Sequence, residues 1–268
     1  MSPELDSPAA PATAPAPKRS PGPLALFWGM LRRPRATLAY LREQGGISWL
    51  WPAALVVVLM VISTAVTAPI AARVGAEQQA RLLEERGLDP NAPELQQIQG
   101  FAANPLFNIV LPSIIGIVAF ALAALLRAGV LHFASLALGG QSKFGAMFGA
   151  GLWATALPDA ARLIVVTLGT VLSGTVRRGG LAVLVPGGED VLSLDPALGA
   201  LQAFLGGIDV FWLWETVLTV IAVAVTAQFS WRKGLIVALG YWLLTVLFAV
   251  GTTWLSLTAT RQFSGLGG

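Results

Sequence analysis

Four charged residues that stand inside long apolar runs are the first candidates for chemistry in this sequence. They are two cations and two anions: Arg127, Asp159, Arg162 and Glu215. Because a charge at the centre of a bilayer is costly, such residues pair with one another, line a wet cavity, or carry protons and ions. Asp159 and Glu215 form the only plausible carboxylate pair for an intramembrane acid and base, which is the least favoured function class.

Five apolar runs are long enough to hold these charges inside a membrane. A hydrocarbon core about 30 Å thick needs about 20 apolar residues of helix, and lipid requires each segment to satisfy its own backbone hydrogen bonds. The chain is 55% hydrophobic and only 12% charged, whereas soluble domains carry about 25% charge. The sequence therefore predicts an all-α, polytopic membrane protein with five transmembrane helices. The predicted spans are 49–70, 108–138, 144–174, 209–229 and 234–257.

Helix rise places the four charges at similar depths in the bilayer. Measured from the cytoplasmic ends, Arg127 lies about 16 Å deep, Asp159 about 22 Å, Arg162 about 27 Å and Glu215 about 24 Å. We therefore expect a mixed salt-bridge cluster in the bundle interior. It either locks the helices in register or lines an ion, proton or substrate path. The structural interpretation is favoured, because no inverted repeat is visible and five spans do not divide into equal halves.

Small and helix-breaking residues in the third predicted span suggest two further features. Pro158 predicts a kink or break, which would put Asp159 at the N-terminus of a half-helix, where an anion is favoured. Gly145, Gly149 and Gly151 form a small-residue surface that permits close helix approach. That surface serves packing within the chain or, as the alternative, a homodimer seam.

The residue inventory disfavours soluble-type chemistry. The chain has no cysteine and a single histidine, His132, so no catalytic residue, metal or cofactor is predicted. Phosphate-loop, nucleophile-elbow and zinc-protease motifs are missing from the sequence. The arginines are too few and dispersed for nucleic acid. His132 fits a hydrogen-bonding histidine near the cytoplasmic interface better than a pH sensor.

The regions outside the 48–260 five-span domain are short. Residues 1–23 carry seven prolines and are predicted to be a disordered cytosolic tail, and residues 261–268 form a second short tail. Residues 24–47 are predicted to be a basic interfacial segment that Pro34 divides into two short helices. Its cations are expected to contact anionic headgroups. They are Arg32, Arg33, Arg35 and Arg42.

The placement of lysine and arginine predicts the orientation. The N-terminal segment is basic, and the two tight turns carry Lys143 and then Arg232 and Lys233 without acids. Positively charged short loops stay in the cytoplasm. We therefore expect a cytoplasmic N-terminus and, after an odd number of spans, an external C-terminus.

Several local patterns together resemble the Yip1 family of small polytopic membrane proteins. They are a prolyl segment before the first span (RRPRATLAYL), a long second span that runs into a Gly-Gly turn (LHFASLALGGQSKF), a mid-span proline (LWATALPDAARL), an acidic-aromatic opening of the penultimate span (DVFWLWE) and a basic turn before the last (SWRKG). The likeness covers roughly residues 24–258 and includes the five-span count.

The resemblance implies a non-catalytic role in organising other membrane proteins. Eukaryotic relatives are associated with Rab-type GTPases and vesicle transport, and some prokaryotic relatives assist ABC-type exporters. The short Pro/Ala tail and the Ala/Gly/Arg-rich composition are typical of a protein of the bacterial cytoplasmic membrane. The implied function is an adaptor whose partners are other membrane proteins, ABC-type exporter components or further copies of itself. The alternative is a small transporter or channel subunit that uses Arg127, Asp159, Arg162 and Glu215.

Overall fold

The computed structural model describes residues 21–44, 46–85, 104–175, 179–185 and 195–264. Within these ranges the regular structure is helical, which confirms the all-α prediction there. Most of the predicted disordered tail of residues 1–23 lies outside the described residues. Parts of both longer loops and residues 265–268 lie outside them as well.

The described ranges form a succession of α-helices. A π-helical turn, Leu106–Val110, leads into α4, and a 3-10 turn, Gly180–Leu184, precedes α6. The helices are α1 (Pro23–Arg32), α2 (Pro34–Gln44), α3 (Leu50–Glu85), α4 (Leu111–Ala137), α5 (Phe144–Ser173), α6 (Pro196–Gly206), α7 (Val210–Thr226) and α8 (Trp231–Ser264).

Four helical segments are long and apolar enough to cross a membrane. They lie on α3, on the π-turn with α4, on α5 and on α8, and their mean hydropathies are 2.4, 2.7, 1.4 and 2.1. Helices α6 and α7 meet at a bend of 59° and qualify together as a fifth crossing segment. The protein is therefore a multi-pass membrane protein with four to five spanning helices.

Helix α3 extends beyond the first predicted span. It runs from Leu50 to Glu85 without interruption, so the residues that follow the predicted span continue the same helix. Pro69 lies inside the helix and removes only one backbone donor. The following Ala, Glu, Gln, Arg and Leu residues are good helix formers, which explains the extension.

The predicted break at Pro158 is wrong. Helix α5 is continuous from Phe144 to Ser173, and Pro158 is fully buried inside it. In membrane bundles, neighbouring helices and Ser or Thr side chains compensate for the backbone donor that proline lacks. Asp159 therefore lies within a helix and gains nothing from a half-helix dipole.

The basic N-terminal segment is docked onto the bundle. Pro34 starts α2 directly after Arg33, which leaves helical geometry at φ −143°. One face of each short helix enters a core with α5 and α7, in which Trp153 is 0% exposed. The Phe27 ring lies 4.8 Å from the Trp153 ring. The other members include Leu26, Met30, Leu38, Leu41, Leu218 and Ala222.

Among the described residues, the three glycines of the predicted small-residue surface are not points of close helix approach. Within these ranges, a Cβ added at Gly145 or Gly151 would meet nothing within 4 Å, and one at Gly149 would be 3.8 Å from Trp49. Spacing alone does not say which neighbour faces a glycine, and Gly151 lines a cavity of about 50 Å³. The homodimer seam stays a prediction.

Close helix approach occurs instead where α8 begins. A Cβ at Gly234 would lie 2.9 Å from the Val220 carbonyl oxygen and 3.1 Å from the Ala224 side chain. Because the obstacle is partly backbone, Gly234→Ala should lower unfolding stability by about 1–3 kcal/mol. Gly151→Ala is the matched control and should leave the melting temperature of the detergent-solubilised protein unchanged. Equal melting temperatures for both variants would contradict the prediction.

Candidate functional site: an ion-pair network between four helices

Four long helices contribute to the charged site. Helix α4 supplies Arg127, and α5 supplies Asp159 and Arg162 from one face, three residues apart. Helix α7 supplies Glu215 from its second turn, and α8 supplies Tyr241. The same four helices also pack against one another through apolar residues. Leu131, Met147, Val223 and Val237 form such a cluster.

Arg127 and Glu215 form the shortest ion pair of the site. The distance from Arg127 Nη2 to Glu215 Oε1 is 2.8 Å, and the two side chains are 24% and 14% exposed. Arg127 Nε also donates to the Tyr241 hydroxyl at 3.0 Å, and its guanidinium carbon lies 5.4 Å from the centre of that ring. The pair therefore connects α4, α7 and α8.

Arg162 is surrounded by three carboxylates. Its Nε and Nη2 donate to the two oxygens of Asp209 at 3.1 and 3.2 Å, which is a bidentate pair. Nη1 lies 3.6 Å from Asp159 Oδ1, and Nη2 lies 3.9 Å from Glu215 Oε2. Glu215 thus joins the two arginines, and all four charges singled out in the sequence belong to one network.

Asp209 and Tyr241 are the members of the network that sequence reasoning missed. Asp209 is the N-cap of α7, and its Oδ1 accepts from the Trp212 backbone N–H at 2.6 Å. An aspartate directly before an apolar run is a recognisable N-cap pattern, but that pattern does not predict a salt bridge. No local pattern indicates Tyr241, which is 114 positions from Arg127.

Three cavities adjoin the two arginines. The central one has a volume of about 260 Å³ and is lined by both arginines, Glu215, Tyr241 and Trp212, among others. The cavity of about 50 Å³ shares Arg127 with it, and one of about 370 Å³ shares Arg162 and is bounded by Asp209. Because the ion pairs are partly exposed, these cavities can hold water next to them.

The cations of the basic segment divide into two groups. Arg32, Arg33 and Arg35 are exposed, and the Arg32 guanidinium lies 4.2 Å from the centre of the Trp28 ring. Arg42 is partly buried and donates from Nη1 to the Val225 carbonyl oxygen at 3.0 Å, and its headgroup contact stays a prediction. Val225 is in the last turn of α7. The last carbonyl groups of a helix lack intrahelical partners and carry negative partial charge, so they favour a hydrogen bond from an arginine.

His132 makes a local hydrogen bond. Its Nδ1 lies 2.9 Å from Ser142 Oγ, and its ring packs edge-on against Phe144 at 5.9 Å. This arrangement fits the hydrogen-bonding role expected for it. Within the described ranges, no three His, Cys, Asp or Glu side chains are placed to hold a metal ion.

Comparison with known proteins gives one match. The model of the Yip1 domain family matches residues 28–253. No curated protein and no solved structure among those compared matches the chain. The family match spans the helices that carry the ion-pair network, and it covers well over half of the chain. The chain therefore belongs to the Yip1 family of membrane proteins.

Proposed function

We propose that this protein is a non-catalytic adaptor that binds other membrane proteins through its lipid-facing helices. The ion-pair network is the observation that carries the proposal. Each guanidinium has a carboxylate partner within 3.1 Å, and the contacts tie α4, α5 and α7 together. Breaking a buried ion pair costs about 3–5 kcal/mol, so a network of this kind holds helices in one arrangement. A rigid scaffold with internally paired charges suits binding better than transport.

Helix α4 offers the surface for a partner. Its apolar segment is only 6% buried inside the protein. A groove on this face is lined by the small residues Gly129 and Ala134 together with Leu126 and Phe133, which are 70% and 69% exposed. Small residues between larger ones allow another helix to approach closely. We assign the groove to an apolar transmembrane helix of a partner, and exporter components are the class that the family resemblance suggests.

The adaptor hypothesis is tested by co-purification with two glycine variants. Gly129→Leu fills the groove of α4, while Gly251→Leu adds the same bulk on the exposed side of α8. Neither glycine has a neighbour within 4 Å of its Cβ position in the described part of the chain. We expect Gly129→Leu to reduce the co-purified membrane protein several-fold in mild detergent, quantified by mass spectrometry, and Gly251→Leu to retain it.

Two outcomes would contradict the adaptor hypothesis. One is that both glycine variants capture the same partners in the same amounts as the unaltered protein, as expected if lipid alone occupies the groove. The other is that the purified protein moves solute or protons across the membrane of otherwise empty liposomes. A partner set consisting only of this chain would instead identify a homo-oligomer.

We assign the basic segment, residues 24–47, to the cytoplasmic surface of a bacterial inner membrane because of its exposed charges. Leu24, Trp28 and Leu31 form an exposed apolar stripe on α1, at 84%, 55% and 49% exposure. The neighbouring exposed arginines, Arg32 and Arg35, suit anionic headgroups. Brominated lipids should quench more tryptophan fluorescence in anionic than in zwitterionic nanodiscs, and Trp28→Phe should remove that difference. Equal quenching in both would argue against headgroup recognition.

The cavities beside the arginines favour a second candidate, a small transporter or channel subunit. Arg127 lies between the central cavity and the cavity of about 50 Å³, and Arg162 lies between the central cavity and the cavity of about 370 Å³. If this function holds, the protein alone transports in proteoliposomes and loses the activity when Asp159, Arg162 or Glu215 is replaced. Impermeable proteoliposomes would exclude it.

A further inference from the structure

Carboxylates outnumber guanidiniums in the network. Arg127 and Arg162 face Asp159, Asp209 and Glu215, so five ionised groups would leave one uncompensated negative charge. An uncompensated charge is costly inside a membrane. When carboxylates crowd one site, one of them takes up a proton more readily than an isolated carboxyl does. The stoichiometry therefore calls for a bound cation, and a proton is the smallest.

Of the three carboxylates, Asp159 makes the weakest contact with a guanidinium. Glu215 lies 2.8 Å from Arg127, and Asp209 receives two hydrogen bonds from Arg162 and a third from the Trp212 backbone. The nearest guanidinium nitrogen to Asp159 is at 3.6 Å and belongs to Arg162, which is already engaged by Asp209. A carboxylate with strong donors is stabilised in its charged form, and among the described residues Asp159 has only the 3.6 Å contact with Arg162.

We infer that Asp159 is a proton-binding site that completes the charge balance of the network. The charged groups that act on it are Arg162 on its own helix, Arg127 on α4, and Asp209 and Glu215 on α7. Tyr241 on α8 faces the same network through Arg127. The Asp159 side chain is 26% exposed, so it is not sealed inside the helix bundle. This inference is independent of the adaptor role, since either candidate function accommodates it.

Labelling with dicyclohexylcarbodiimide tests the inference, because this apolar reagent modifies protonated carboxyl groups in membranes. The full-length protein in lipid nanodiscs is treated in buffers from mildly acidic to mildly alkaline, digested and analysed by mass spectrometry. We expect label on Asp159 that declines as pH rises, and loss of that label in Asp159→Asn. Label confined to Glu215 or Asp209, pH-independent label, or no label on Asp159 in any buffer would overturn the inference.

Thermal stability provides a second measurement that does not depend on reagent access. Asparagine mimics a protonated aspartate, so Asp159→Asn leaves two cations with two anions. We expect its melting temperature in acidic buffer to equal or exceed that of the unaltered protein, whereas Asp209→Asn and Glu215→Gln lower it. A melting temperature for Asp159→Asn as low as that of Glu215→Gln would show that Asp159 is ionised.

Discussion

Replacing Arg162 with methionine is expected to cost about 3–5 kcal/mol of unfolding free energy, the largest loss from a single charge change in this protein. The reason is that Arg162 contacts Asp159, Asp209 and Glu215. Removing it leaves three carboxylates with Arg127 as the single guanidinium of the network. The measurement is the denaturation midpoint in nanodiscs, followed by helix content.

Two further variants separate loss of charge from loss of geometry at this position. Arg162→Lys keeps the charge but cannot form the bidentate contact with Asp209, so we expect an intermediate loss. Arg232→Met removes an exposed arginine and should change stability by no more than about 0.5 kcal/mol. If Arg162→Met is as stable as Arg232→Met, the network does not hold the helices together.

Replacing Trp153 with alanine is expected to destabilise the protein by about 3–5 kcal/mol and to release the N-terminal helices. Trp153 is fully buried, and it packs against α1 through Phe27. Removing the indole leaves a cavity where α1 and α2 meet α5 and α7. Limited trypsin digestion should then cut after Arg32 and Arg35 much faster than in the unaltered protein.

The controls for this prediction use a second tryptophan and a smaller aromatic ring. Trp254 is 49% exposed, so Trp254→Ala should leave digestion unchanged. The Trp153 indole N–H has no hydrogen-bond partner among the described residues, which is unfavourable in a buried site. Trp153→Phe removes that N–H and keeps most of the packing, so it should stay closer to the unaltered protein than Trp153→Ala. Slow digestion of Trp153→Ala would show that the segment is held by other contacts.

The candidate site was only partly predictable from the sequence. The depths of Arg127, Asp159, Arg162 and Glu215 follow from helix rise, because an apolar run sets where each helix enters the bilayer. The choice of partner does not follow from local spacing. Arg162 makes its bidentate contact with Asp209, 47 positions away, rather than with Asp159 on its own helix.

Several errors share one cause, which is that local rules do not include the neighbouring helices. Pro158 is a helix breaker in isolation, yet α5 continues through it because other helices enclose that stretch. Glycine spacing predicts close packing at Gly145, whereas Gly234 is one of the glycines at which close packing is observed.

The amino-acid sequence by itself determined that this is a helical protein of the lipid bilayer. Hydrocarbon thickness and the need to satisfy backbone hydrogen bonds act on every apolar segment separately, so each spanning helix can be predicted from its own residues. The tertiary structure decided which face of the basic segment is buried against Trp153, and which carboxylate each arginine holds. Those outcomes depend on distances between helices that are far apart in the chain, and short-range ion pairing and packing favour whichever group lies closest.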